Sequence, residues 1–369
     1  MYLRNVSLLN FRNHKNTSLD FSPGINLIIG ENGQGKTNLL EAIYVLFNGK
    51  SYRTSLNDPL IFLKEELSVV RGNFINKGKD ESVEIIFKIG ETKIIKINKT
   101  QNQGIKFLKR LTNTILFSPE DLKIIKDGPD KRRDFIDEVG EQINYDYSHL
   151  KWKFLRILKH RNHLLKQVFI RKQDERTLDL WDERLALSSV ELIRAREKIV
   201  EKLKPHCERI YSKVSPIGTL GACYLNEFIK RDGEDIEGEI IQKLKEVRRY
   251  EIERGVTLVG PHKDDLGLYV DGMDVRLYGS QGEQRVVSLC LKMAELELIK
   301  KEKNRTPLLL MDDVMSELDE KRRDNLSEFI LNLKQSIITS TNLDYFNPKY
   351  RDKMTLIKIN KGLVEGKMC

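Results

Sequence analysis

The chain has 369 residues, room for two or three domains, and no apolar run approaches the roughly 18 residues that a membrane-spanning helix needs. Its 64 basic side chains against 55 acidic ones leave a net charge of +9, which favours an anionic partner, nucleic acid before a membrane surface. Four scattered cysteines (Cys207, Cys223, Cys290 and Cys369) argue against a disulfide framework and a zinc site, and with no apolar signal core behind Met1 the expected location is the cytoplasm.

In chain order, residues 2–10 read as a strand, with Leu19 and Phe21 in its hairpin partner and Ser22-Pro23-Gly24 as a turn. Ile25 to Ile29 then read as a buried strand. Gly30-Glu31-Asn32-Gly33-Gln34-Gly35-Lys36-Thr37 fits G-x-x-x-x-G-K-[ST], the phosphate-binding loop pattern, and Leu39/Leu40, Ile43 and Leu46/Phe47 follow at helical spacing. Strand, glycine-rich loop and helix is the context the pattern needs. The glycines let backbone N–H groups turn inward on an anion at a helix N-terminus. Lys36 is placed to reach β- and γ-phosphates, and the Thr37 hydroxyl to ligate Mg²⁺. Arg53, in the polar loop Gly49 to Thr54, faces either the nucleotide, DNA or solvent.

From about 67 to 117 the pattern is short alternating strands, clearest at Val83, Ile85, Phe87 and Ile89. Asn76-Lys77-Gly78-Lys79-Asp80 fits a turn between two of them. Ser118-Pro119 opens a helix, Gly128-Pro129 breaks it, and another begins at Asp130. Residues 141–204 lack Gly and Pro, and Leu150, Phe154, Ile157/Leu158 and Leu165, then Leu185, Val190, Ile193 and Ile199, recur at helical spacing. These predict at least two long antiparallel helices, turning near Gln173 to Arg176. Between Tyr147 and Gln173 there is no carboxylate. Lys151, Lys153, Arg156, Lys159 and Arg161 in that window are therefore candidate DNA contacts, against the alternative of a face balanced by acidic neighbours in space.

Val256 to Val259 reads as a short strand, and Leu266 to Leu277 as a hairpin turning at Asp271-Gly272. Tyr278 to Arg285 leads into a helix lined by Val287, Leu291, Ala294 and Leu298. Leu308 to Met311 is a buried strand ending in Asp312-Asp313. In a chain with a phosphate loop, Asp312 is the expected Mg²⁺ holder, and Asp313 the group that orients or deprotonates water. Ile337 to Thr341 is the last core strand and ends in hydroxyls.

In this order, the phosphate loop, the serine-glycine element at 280–285, the acidic strand end at 312–313 and Ser316 to Asp319 resemble the ABC-type ATPase head. Within that class the chain is most similar to the RecF family of bacterial recombination mediators. Asn10 to Asn13, Gly30 to Asn38 with Leu40-Glu41-Ala42, Gly49 to Thr54, Phe117 to Asp121, Gly128 to Arg133, Gly260 to Asp265 and Gly279 to Arg285 carry the likeness. SMC heads look similar but carry far longer coiled coils.

The resemblance implies an α/β, P-loop ABC-type head of two lobes with an antiparallel β-subdomain, plus a helical insertion. Its expected divisions are 1–120 with the phosphate loop, 121–250 as the insertion, and 251–369 with the serine-glycine element, acidic strand and D-loop. It implies ATP and Mg²⁺ held by Gly30 to Asn38 with Arg12 and Asn13, metal contacts from Thr37 and Asp312, catalytic roles for Lys36 and Asp313, and Asp319 in the D-loop. Ser280 and Gly282 would meet the γ-phosphate bound by a second copy, so ATP would drive homodimerisation. Implied partners are single-stranded and duplex DNA at gaps and junctions, RecR, and indirectly RecO and RecA. Three departures from the general ABC pattern stand out: Asp313 replaces the usual Glu, Thr339 to Thr341 replace the switch histidine, and the signature reads Ser-Gln-Gly-Glu-Gln. The competing readings are an SMC-like structural clamp, a transporter motor subunit and, last, a small-molecule kinase.

Overall fold

The computed structural model describes residues 2–76, 78–101, 108, 113–215, 218–228 and 235–368, which divide into two units, Met1–Asp121 with Ile299–Cys369, and Leu122–Leu298. Lys77, in the predicted turn between strands, lies outside the described residues, while Asn76 pairs with Lys79 across that turn.

The first unit is built on two sheets, each of six strands among the described residues. One runs in the order β15-β14-β3-β13-β12-β8, from β3 (Gly24–Ile29), β8 (Thr114–Phe117), β12 (Leu308–Asp312), β13 (Gln335–Ser340), β14 (Met354–Asn360) and β15 (Leu363–Met368). All its pairs are parallel except β14 with β15. Interior parallel strands are covered on both faces, so they show continuous rather than alternating burial, as β12 and β13 do at every residue. Ligand crevices in such sheets open at the carboxyl ends of the strands. There the register sets Asp312 beside Thr339, and Ile29 beside both Ser340 and Lys358.

The second sheet is antiparallel, ordered β2-β1-β4-β5-β6-β7, from β1 (Tyr2–Phe11), β2 (His14–Asp20), β4 (Leu67–Asn76), β5 (Lys79–Lys88), β6 (Ile94–Ile97) and β7 (Thr100–Gln101). Helix α1 (Lys36–Asn48) shares one apolar core with both sheets: its Leu39, Leu40, Ile43 and Phe47 join Leu8, Phe74 and Ile85 of one and Ile28, Leu310 and Ile337 of the other. Gln335 stitches the sheets together with polar contacts. Its amide donates to Leu3 O (2.9 Å) and accepts from Leu3 N (2.8 Å), so a buried polar side chain on β13 is satisfied by β1.

The second unit carries α2 (Pro129–Ile143), α3 (Tyr147–Phe169), α4 (Thr177–Val214), α5 (Ile236–Arg254) and a sheet of β9 (Leu220–Leu225), β10 (Asp265–Val270) and β11 (Met273–Asp274). Helix α6 (Gln281–Lys303) follows. Helices α3 and α4 are antiparallel, because residue numbers rise on one as they fall on the other: Arg161 meets Asp182, and Lys153 meets Glu191. Residues 251–298, grouped by sequence with the segment that follows them, pack in this unit with the helices.

The reason is a set of buried guanidinium hubs. Arg161 is 0 % exposed and donates to Asp182 (2.7 Å), Glu251 (2.6 Å) and Thr257 Oγ1 (2.8 Å). Arg196 holds Asp137 through two bonds and donates to Pro261 O, and Arg132 holds Asp265. These contacts correct two expectations. Val256 to Val259 is no strand, since Asn162 takes the N–H of Thr257 and Glu251 that of Leu258, the donors a ladder would use. The predicted hairpin stops at Asp274, whose side chain accepts from Arg276 N and caps the helical turn Val275–Tyr278.

The DNA-contact set is corrected as well. Arg161 faces no solvent, Lys151 pairs with Asp137 (2.9 Å) and Lys153 with Glu191 (2.8 Å). The carboxylates missing from the sequence window come from other helices. Arg156, stacked over the Trp152 ring, and Lys159 remain exposed.

Replacing Arg161 with Met should lower stability by about 3–5 kcal/mol, because Glu251 would stay buried without a counter-charge and Asp182 would keep only Arg248 (2.7 Å). Urea unfolding followed by circular dichroism measures it, and a loss below about 0.5 kcal/mol, typical of surface positions, would contradict the buried hub.

Candidate active site

The phosphate loop joins the carboxyl end of β3 to α1. Gly33 and Gly35 adopt φ of +79° and +104°, the left-handed region that side chains other than glycine's rarely enter. At Gly30 the constraint is steric: a Cβ there would stand 2.4 Å from Ile359 O on β14. No side chain caps the start of α1, so its first N–H groups are available to an anion. The Lys36 ammonium folds back to donate to Gly30 O (2.7 Å) and Glu31 O (2.8 Å). Burial pushes its pKa down, opposed by the negative charges of Asp313 and Asp312.

Beside the loop stands the end of β12. Asp312 Oδ1 accepts from Thr37 Oγ1 (2.8 Å) and Thr339 Oγ1 (2.9 Å), and Oδ2 accepts from the Tyr52 hydroxyl (3.2 Å). Burial first, then the Asp312 charge, drives the Tyr52 phenol far above its ordinary pKa, so it stays protonated as a donor. Asp313 is held at φ +51° by its N–H, which donates to Thr339 Oγ1 (3.0 Å), and by Ser316, whose hydroxyl donates to Asp313 O (2.7 Å). Asp313 Oδ1 is buried without a hydrogen-bond partner. Burial raises the Asp313 pKa, Lys36 pulls it back, and Asp312 adds to the rise.

Behind the loop Glu41, 0 % exposed, anchors a second network. Arg12 grips it with two bonds (2.9 and 2.8 Å) and also donates to Pro59 O, Ser51 Oγ donates to it (2.5 Å), and Arg53 reaches it at 3.2 Å. Arg53 donates as well to Asn38 Oδ1, and Asn38 to Asn13 Oδ1. Asn13 in turn packs on Gly35, where a Cβ would stand 2.8 Å from its amide nitrogen. Arg12, expected at the nucleotide, is therefore engaged as a brace between Glu41 and the loop at Pro59. Arg53 is paired with Glu41 and Asn38 while remaining half-exposed.

Glu41, Tyr52 and His14 were given no role by the sequence reading, although Leu40-Glu41-Ala42 and Gly49 to Thr54 were among the stretches carrying the family likeness. The signal for Glu41 was present, a carboxylate on the apolar face of a helix between Leu40 and Ile43. Nothing local marked Tyr52 or His14. Of the remaining candidates, Asp319 caps Glu320–Leu331 by accepting from Arg322 N (3.0 Å). Ser280 begins α6, where its hydroxyl accepts from Glu283 N (3.2 Å), and around Gly282 only Ser280 Oγ comes within 4 Å of where a Cβ would stand. Ser280 and Gly282 belong to the second unit, and the phosphate loop to the first.

The family described as RecF/RecN/SMC N terminal domain matches residues 2–363. DNA replication and repair protein RecF of Bacillus velezensis is 38% identical over 371 residues, 98% of this chain and 99% of its own. The protein of the same name from an Exiguobacterium strain is 37% identical over 370 residues, 99% of each chain. A solved structure of the recombination mediator protein RecF with ATP in the RecFOR pathway superposes with a TM-score of 0.90 at 34% identity, covering 100% of this chain and 98% of that one. The Smc head domain of Pyrococcus furiosus superposes at 0.58 with 18% identity over 100% of this chain and 96% of that one, a likeness of fold alone.

Proposed function

The chain belongs to the RecF family, and from that premise we propose that it is an ATP-dependent DNA-binding protein of recombinational repair and replication, with slow ATP hydrolysis as its switch. The observation that carries the nucleotide half is the 2.8 Å bond from Thr37 to Asp312 beside the Lys36 ammonium. A similar RecF solved with ATP supports that nucleotide. The two carbonyls that Lys36 now meets stand in for β- and γ-phosphate oxygens, and the N–H groups at the start of α1 would face the same anion.

The donor set fits Mg²⁺. Thr37 and Asp312 offer hard oxygens in mutual contact, and among the described residues no group of three or more His, Cys, Asp or Glu side chains forms a protein cage. Mg²⁺ takes few protein ligands and fills the rest with water and phosphate oxygens. When bound it would draw charge from the bridging phosphates. Asp313 would orient the attacking water and accept its proton as the bond to the γ-phosphorus forms and ADP leaves. Its unpartnered Oδ1 is a ready acceptor. Tyr52 and Thr339 hold Asp312 in place for this arrangement.

In this reading Ser280 and Gly282 of a second copy, at the start of α6, face the γ-phosphate held by Lys36, and Asp319 lies in the D-loop beside them. ATP is then the adhesive of a homodimer, and hydrolysis loosens it. The basic balance of the chain and the exposed Arg156 and Lys159 support DNA, single-stranded or duplex, as the polyanion. The RecFOR pathway named for the similar RecF supports RecR and RecO as partners; in this reading RecR is met directly, and RecO and RecA indirectly. Among the described residues no helix is long and apolar enough to cross a membrane.

Asp313→Asn should keep ATP affinity within about threefold and slow hydrolysis at least 100-fold, the usual scale for a lost general base. Because burial raises the Asp313 pKa, the acid limb of the wild-type rate profile should lie above pH 3.8, rate increasing with pH until the carboxyl is ionised. Retained turnover in the variant would remove Asp313 from the mechanism. The double charge reversal Arg156→Glu, Lys159→Glu should weaken DNA binding and flatten its salt dependence, the log–log slope falling by roughly 0.9 for each phosphate the protein no longer neutralises. An unchanged slope would place DNA elsewhere.

A further inference from the structure

The C-terminal hairpin is fastened to the outer side of the phosphate loop. Its two-residue turn, Lys361-Gly362, has φ of +46° and +78° between the paired residues Asn360 and Leu363, the pattern of a type I′ turn. The Lys361 N–H donates to Gln34 Oε1 (2.6 Å) and the Gly362 N–H to Gln34 O (2.9 Å). Gly362 O accepts from the Thr17 hydroxyl (2.8 Å). His14, 0 % exposed, fills the space between turn and loop, with Nδ1 3.0 Å from Gly362 O and Nε2 3.0 Å from Gly35 O. The fit has no slack: a Cβ on Gly362 would stand 2.8 Å from Asn13 O.

These contacts act on the face of the loop that a phosphate would not touch. In a planar trans peptide the C=O and the next N–H point in opposite directions. Tying Gln34 O outward to Gly362 therefore aims the Gly35 N–H inward. Gly35 O accepts from Leu39 N (2.9 Å) and from His14, whose single proton then sits on Nε2, and this does the same for Lys36 N–H. Glycine-rich loops lose much conformational entropy on ordering, so a loop held in its binding shape beforehand binds its anion more tightly.

We propose that the Lys361-Gly362 turn, with His14 and Thr17, is a clamp that pre-sets the phosphate loop, which makes Gly362, His14 and the Gln34 side chain positioning residues for the nucleotide. This rests on the nucleotide reading above. The chain end, more than 320 residues from the loop, thereby controls affinity for the polyphosphate without touching it.

The test uses the full chain, magnesium and ATP, with two readouts: the dissociation constant by calorimetry, and amide hydrogen exchange of peptides spanning 30–37 in nucleotide-free protein. Gly362→Ala, His14→Phe and Gln34→Leu should each weaken ATP binding tenfold or more and speed exchange of the loop. Ile357→Val, in the buried part of β14, perturbs packing without reaching the loop and should leave affinity within twofold. Gln34 is half-buried in a surface loop, so Gln34→Leu decides the matter if the other two fail to fold. Affinity within twofold and unaltered loop exchange in Gln34→Leu and in every other folded variant would overturn the clamp while leaving the ATP site standing. Wild-type protein that binds no ATP would overturn both.

Discussion

One carboxylate joins the parts of this molecule that matter for its chemistry. Asp312 receives hydrogen bonds from Thr37 at the start of α1, from Thr339 on the neighbouring strand and from Tyr52 in the loop after α1. These residues are up to 302 positions apart in a chain of 369, as Thr37 and Thr339 are. They converge because the parallel strand order sets the ends of β3, β13 and β12 side by side. Two neutral hydroxyls and a phenol satisfy Asp312, whereas the adjacent Asp313 keeps an oxygen without a partner and sits at positive φ. Backbone strain and an unsatisfied buried acceptor coincide at one residue, which is where a fold tolerates local cost for function.

The two units manage buried charge differently. In the second, guanidinium hubs at Arg132, Arg161 and Arg196 saturate their carboxylates and tie helices to loops. Such hubs are costly to break by removing one partner. In the first, Glu41 is saturated by Arg12, Arg53 and Ser51, but Arg53 is half-exposed, and its second contact passes through Asn38 to Asn13 and so to Gly35. That network and the C-terminal hairpin meet at Asn13 and His14, beside Gly35.

What was legible in the sequence was whatever is contiguous. The phosphate loop carries its glycines, lysine and threonine in eight residues, and the acidic strand end announces itself by following an apolar run. Antiparallel helices were legible through their spacing and the absence of Gly and Pro. What failed were inferences about single residues whose partners lie elsewhere in the chain. Arg161 looked like part of a basic face because Asp182 and Glu251 lie on other helices. Val256 to Val259 has strand composition, but Asn162 and Glu251 claim its backbone donors. Arg12 was placed at the nucleotide by the family likeness alone, and its contact with Glu41 was hidden because that carboxylate sits on what the pattern marks as an apolar helix face. His14 and Tyr52 stayed silent because their roles come from burial against distant backbone and a distant acid.

Everything proposed for this chain depends on the phosphate loop and the end of β12 acting together as one magnesium-dependent nucleotide site. ATP binding to the wild-type chain and to Asp312→Asn, titrated with and without Mg²⁺, tests it directly. Mg²⁺ should tighten ATP binding to the wild type and lose most of that effect in the variant, while metal-free affinity is nearly equal in the two. Equal responses to Mg²⁺ in both proteins would contradict it.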